Sequence, residues 1–160
     1  MRQPAIRRAV VLCSLVAVAT AACASGGEKK MSVGSGDVVA DRQRLMKLNG
    51  ALWADAQAKG KAGNWEAIGV NAEAMAINAE HIPMLFPPGS LTDKSKAKPD
   101  VWQKWPEFET ASKQMVAESV KLRDAARSKN QEATEAAMKD FGRNACGACH
   151  TPFRVPPPAR

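Results

Sequence analysis

The sequence has no tyrosine and only two histidines, and its aromatic content is 5 %. A core must therefore come largely from alanine and methionine. Trp53, Trp65, Trp102 and Trp105 add bulk, and a buried cofactor would enlarge it. With His81 and His150 as the only imidazoles, sites built from several histidines are excluded. Alternating Val/Ile/Thr runs are missing, which argues against β-hairpins. Past the first residues no apolar run approaches the length needed to span a bilayer. Cysteine is scarce as well. Of the four, Cys13 lies in the N-terminal apolar run and Cys23 at its end. Only Cys146 and Cys149 remain for the folded part, three residues apart, so a framework of several disulfides is excluded.

The N-terminus reads as an export signal over residues 1–22. Arg2, Arg7 and Arg8 make a positive start, Ala9 to Ala19 a short apolar run, and Thr20, Ala21 and Ala22 a small-residue end. Two readings of the cleavage site stand side by side. Thr20-Ala21-Ala22-Cys23 resembles a lipoprotein box, which would anchor the chain through a lipid on Cys23. Ordinary cleavage after an Ala-x-Ala site such as Ala19-Thr20-Ala21 would release it. Residues 23–36 read as a flexible tether. The expected location is the periplasm, free or lipid-anchored. Formal net charge is +7. Without the three leader arginines, 20 Lys+Arg face 16 Asp+Glu, a charge of +4. That is too mild for nucleic acid as a partner and suits at most loose docking to acidic proteins.

Residues 37–155 read as one domain of four helices, with a Pro-rich tail at 156–160. The first helix is expected from Asp37 to Lys59, with Leu45, Leu48, Leu52 and Ala56 at helical spacing and Met46 and Trp53 beside them. Asn64 is placed to cap the second, whose stripe is Trp65, Ile68, Ala72, Met75, Ala79 and Ile82. Pro83 ends it, and a loop runs to Pro99. Asp100 is placed to cap the third helix, whose inward line runs from Val101 through Phe108, Met115 and Leu122 to Ala126. Pro106 predicts either a kink there or a later start. Asn130 is placed to cap the fourth, with Ala133, Ala137, Phe141 and Ala145 inward and Pro152 and Pro156 to Pro158 ending it. The fold class predicted is all-α, an antiparallel four-helix bundle.

Cys146-Gly147-Ala148-Cys149-His150 carries the chemistry. Cys-x-x-Cys-His is the attachment pattern of haem c. On a helix, positions i, i+3 and i+4 share a face. Two thiols then reach the two vinyl groups of one porphyrin, and His150 presents its imidazole to the iron. A zinc site would need two more ligands. A thioredoxin-like pair would need a βαβ setting and no histidine. The expectation is one covalent haem c near the C-terminal helix, with His150 as proximal iron ligand.

The motif ends the helical chain instead of opening it, and the chain therefore resembles class II cytochromes c, the cytochrome c-prime superfamily. Arg42-Gln43-Arg44-Leu45-Met46-Lys47 resembles the first-helix segment over the distal haem face. Leu85-Phe86-Pro87 with Gly89-Ser90 resembles the middle loop, and Lys98-Pro99-Asp100-Val101-Trp102 the start of the third helix. Cys146 to Arg154 resembles the haem-binding end. The resemblance implies that Met46 faces the iron. The local Leu-Met-Lys wording is more like the low-spin branch, where such a methionine is the sixth ligand. It also implies haem-edge or propionate contacts for Arg42 and Arg154.

The leading expectation is an electron carrier with a His/Met-ligated iron, whose thioether raises the reduction potential, serving periplasmic or membrane-bound redox proteins. The alternative is a five-coordinate haem binding nitric oxide or carbon monoxide, with Met46 only packing. An enzyme is not expected, since Asp41 and Asp55 are the only weak distal candidates for acid–base work. His81 as a second iron ligand is disfavoured. A docking patch would draw on Arg42, Arg44, Lys47, Lys139 and Arg143. A homodimer is open by analogy with relatives.

Overall fold

The structure is a computed structural model, and it describes residues 34–157. The export signal, Cys23 and nearly all of the tether lie outside the described residues. Six α-helices form four rods. They are α1 (Val38–Lys61), α2 (Trp65–Glu80), α3 (Asp100–Gln103) leading into α4 (Trp105–Arg127), and α5 (Gln131–Phe141) continuing to α6 (Ala148–Phe153). Among the described residues there is no β-strand, only an isolated antiparallel bridge between Ala97 and Arg154.

Local chemistry sets the ends. Asp37 Oδ1 accepts from the Val39 and Ala40 amides, and Asn130 Oδ1 from the Ala133 amide, satisfying donors that a helix start leaves free. Asn64 stands at the cap of α2 without such a bond. Gly63 takes φ +71° in the α1–α2 turn, a conformation that costs other residues.

Adjacent rods run antiparallel, as their polar ties show. Asn71 Nδ2 donates to Leu52 O and Asp55, and Asn78 Nδ2 to Asn49. Ser112 Oγ donates to Ala79 O, and Arg123 pairs with Glu73. The core between α2 and α4 is the predicted one, from Ile68 to Ile82 facing Phe108 to Ala126. Trp53 stacks on Phe141 at 4.7 Å between ring centroids, joining α1 to α5.

Four expectations are corrected. On α1 the buried line is Val39, Arg42, Asn49 and Ala56, while Leu48 of the predicted stripe is 50 % exposed. Leu45 and Leu52 of that stripe pack, partly buried, against the core and Ala56 belongs to it, so the expectation fails at Leu48 alone. Asp100 does not cap the third helix. It opens the short α3, which breaks at Lys104 (φ −123°, ψ 50°). Trp105 then starts α4 with Pro106 in its first turn, where a missing N–H costs nothing. Pro152 does not end the last helix, since it sits inside α6, which stops one residue later at Phe153. Between α5 and α6 the chain forms a π-helical turn, Gly142–Gly147, invisible to a 3.6-residue pattern.

Candidate functional site

A cavity of about 430 Å³ opens between α1 and the end of the fourth rod. Cys149, His150, Phe153 and Arg154 form one wall. Val39, Arg42, Gln43, Met46 and Lys47 from α1 form the other. Ile82, Phe86, Val101 and Phe108 close the back, and Ser95, Lys96 and Ala97 make the lip. Met46 and His150, distant in sequence, thus border one space. Cys146 is not on the lining; it sits half-buried against the core one turn before Cys149. The π-helical turn ends on Gly147, inside the motif, so Cys146 lies within it and Cys149 beyond it. Such single turns recur at functional sites because they rotate the following face.

Both thiols are free of disulfide. Burial pushes the Cys146 thiol up, and burial with the neighbouring Cys146 pushes Cys149 to about 11. Each therefore stays a neutral S–H at ordinary pH. The His150 imidazole is held below its ordinary value, first by desolvation and then by the Arg154 charge, which favours the neutral form that binds a metal. A largely apolar group held from Cys149 and His150 suits this cavity. Its back wall is apolar, no acid lines it, and a thiol and an imidazole border it from one helix.

Arg42 has another occupation. Its Nε donates to Leu85 O; Nη1 donates to Ser90 O and Ser95 Oγ; Nη2 donates to Ser90 O and Ser90 Oγ. All five guanidinium N–H groups are thereby engaged in the middle loop, although the side chain also borders the cavity. Desolvation lowers its pKa from the ordinary value. The loop is fastened from the other side too. Lys98 N donates to Phe153 O at 2.9 Å and Val155 N to Lys96 O at 2.8 Å. This double fastening was not legible in the sequence, since its partners are mostly backbone carbonyls.

Other candidates fall away from the cavity. His81 is exposed at the end of α2, its Nδ1 2.7 Å from Ile77 O. Asp41 is engaged by Ser35 and Arg44, and Asp55 by Lys59 and Asn71. Arg143 pairs with Asp140. Lys139 borders a separate open cavity with Trp53, Trp65 and Met138.

The bundle and this motif-bearing wall define a c-type cytochrome. The chain belongs to the family described as cytochrome C', whose profile matches residues 37–154. Cytochrome c' of Rhodospirillum rubrum is 31 % identical over 86 residues, 53 % of this chain and 58 % of that protein. The chain thus matches less than two thirds of that relative's length. The nitric oxide complex of a variant of cytochrome c prime from Alcaligenes xylosoxidans superposes with a TM-score of 0.68 at 24 % identity, covering 76 % of this chain and 96 % of that one. A cytochrome c' with an unusual ligand-controlled dimer dissociation superposes at 0.67 and 23 % identity, covering 74 % and 95 %. These likenesses carry the fold, a four-helix bundle. The cofactor is one covalently attached haem c, and Cys146 and Cys149 stand at the expected C-terminal position.

Proposed function

We propose that the protein is an exported monohaem cytochrome that binds a small neutral gas, nitric oxide or carbon monoxide, at a five-coordinate iron. Cys146 and Cys149 hold the macrocycle through thioethers and His150 is the proximal ligand. Bound haem supplies an iron that accepts one electron or one small ligand. The protein's residues do the rest. Val39 and Met46 of α1, with Ile82 and Phe86, would supply apolar cover to haem bound in this cavity. None of these is an acid or base, so no side chain there moves a proton. The carrying observation is that Val39 and Met46 of α1 line the same cavity as His150, with no acid and no further imidazole on its lining among the described residues. The nitric oxide complex recorded for the Alcaligenes relative supports the same reading.

One observation favours a second reading. Met46 borders the same cavity as His150, and a thioether there could complete an octahedral iron. The protein would then carry electrons between exported redox partners. One optical spectrum of the reduced holoprotein, with and without carbon monoxide, separates the two. A high-spin spectrum that shifts with carbon monoxide supports gas binding. A low-spin spectrum indifferent to carbon monoxide assigns Met46 to the iron and overturns it.

We also infer a homodimer through α1 and α2. Leu48 and Ile77 are each about half exposed on these neighbouring helices, and a second copy would cover them. The relative with ligand-controlled dimer dissociation supports it. Sedimentation of wild type and Leu48→Glu tests this, a monomeric wild type refuting it. No described helix is long and apolar enough to cross a membrane. We propose a periplasmic location. Fatty-acid labelling, with and without Cys23→Ser, distinguishes a free protein from one anchored there.

A further inference from the structure

Among the described residues two buried side-chain polar atoms have no hydrogen-bond partner, Asn49 Nδ2 and Ser119 Oγ. Ser119 lies about three turns of α4 beyond Phe108, a residue of the cavity wall. Asn49 is nearer. It follows Met46 by one turn of α1 and is 7 % exposed. Its Oδ1 accepts from Asn78 Nδ2 at 2.8 Å, which turns the oxygen toward α2 and leaves the amide NH2 without an acceptor. Such an orphan donor costs about 1–3 kcal/mol, so a buried amide kept this way points to a partner outside the chain.

Helix register puts this donor at the level of the haem. Met46 shares the cavity with Cys149 and His150, and Trp53 stacks on Phe141. α1 and the last rod therefore run antiparallel. Asn49 lies between Met46 and Trp53, and the stretch opposite, between Cys149 and Phe141, contains Ala145 and Cys146. Haem tied to both cysteines extends from the level of Cys149 to that of Cys146, and so to the level of Asn49. On α2, Asn78 likewise precedes Ile82 of the cavity wall by one turn. Two other donors of α1 are already spent on the middle loop, Arg42 on Ser90 O and Gln43 on Lys94 O.

We propose that Asn49 Nδ2 donates a hydrogen bond to the gas molecule held at the haem, in a pocket that Val39, Met46, Ile82 and Phe86 otherwise make apolar. The inference rests on the gas-binding reading and deepens it. A gas bound to ferrous iron draws electron density from the metal toward its outer atom. A donor there holds the gas more tightly and weakens the bond within it. An amide does this without giving up a proton.

The test is the infrared C–O stretch and the release rate of carbon monoxide from the reduced holoprotein. Both are read in the wild type and in Met46→Ala, which admits carbon monoxide whichever role Met46 has. In either background Asn49→Leu should raise the stretching frequency and speed release roughly threefold to tenfold, the worth of one hydrogen bond. Asn49→Asp keeps an acceptor for Asn78 but loses the donor, and should also raise the frequency. Asn78→Leu unties α1 from α2 without removing the donor, and should change the band least. Haem content is checked by pyridine haemochrome. If neither Asn49 variant holds haem, the carbon monoxide band in ordinary and heavy water decides, since exchange of the donor's hydrogen should move it. An unmoved band, or equal effects of Asn49→Leu and Asn78→Leu, overturns the proposal and leaves the two amides as a tie between helices. A wild type that takes no carbon monoxide refutes gas binding instead, and the Met46→Ala background still decides whether Asn49 is a donor.

Discussion

The Arg42 guanidinium carbon lies 4.2 Å from the centroid of the Phe86 ring. The same guanidinium holds the carbonyls of Leu85 and Ser90. One side chain of α1 therefore fixes the middle loop, whose far end is bonded to the residues after His150. Distal helix and proximal segment are joined through this loop. Arg42→Lys keeps a charge but loses the planar fork and its stacking. It should destabilise the holoprotein by about 2–3 kcal/mol, because part-buried loop carbonyls lose most of their donors. Urea unfolding of both proteins checks this, and a loss below about 0.5 kcal/mol would mean that the loop stands without the clamp.

Much of this was readable beforehand, and the exceptions have reasons. The α2 and α4 stripes are both apolar and buried because those helices pack on each other along their length. On α1 the leucine stripe packs against the core except at Leu48. The buried residues of that helix also include Arg42 and Asn49, which no hydrophobic count would choose. Met46, Cys149, His150 and Arg154 were named from the motif and the resemblance, and they meet in one cavity. The fastening of Lys96 and Lys98 to the residues after His150 was missed, since a polar loop gives no periodic signal and the bonds run through backbone atoms.

Acid should loosen the tie between α1 and α2. The Asp55 carboxyl is held below its ordinary value of 3.8, first by the Lys59 hydrogen bond and then by Asn71. A depressed carboxylate adds stability above its unfolded pKa and loses it as pH falls through the folded value. Thermal midpoints should stay level near neutrality and fall below pH 3.8, with Asp55→Asn showing a shallower fall over that window. Identical pH profiles for the two proteins would show that Asp55 contributes nothing there.

The haem should resist extraction. Acid–acetone should leave the colour with wild-type protein, because thioether bonds survive it. Cys146→Ala and Cys149→Ala singly should each keep haem on the chain through the remaining sulfur. The double variant should release it. Colour lost from the wild type would refute covalent attachment.

Met46 decides between the two distal readings, and a volume-conserving change separates covering from binding. Met46→Leu keeps nearly the same bulk over the cavity while removing the sulfur. If Met46 only covers the iron, the variant should keep the wild-type high-spin spectrum, reduction potential and carbon monoxide affinity. Met46→Ala should then speed carbon monoxide entry by opening the cover. If Met46 binds the iron, Met46→Leu should turn a low-spin spectrum high-spin, lower the potential and let carbon monoxide in. Stability does not discriminate, since truncating a core methionine to alanine costs roughly 2–5 kcal/mol in either case. Gas binding predicts that Met46→Leu is spectroscopically silent. A spin-state change on that substitution, with haem content unchanged, would replace it with the electron carrier.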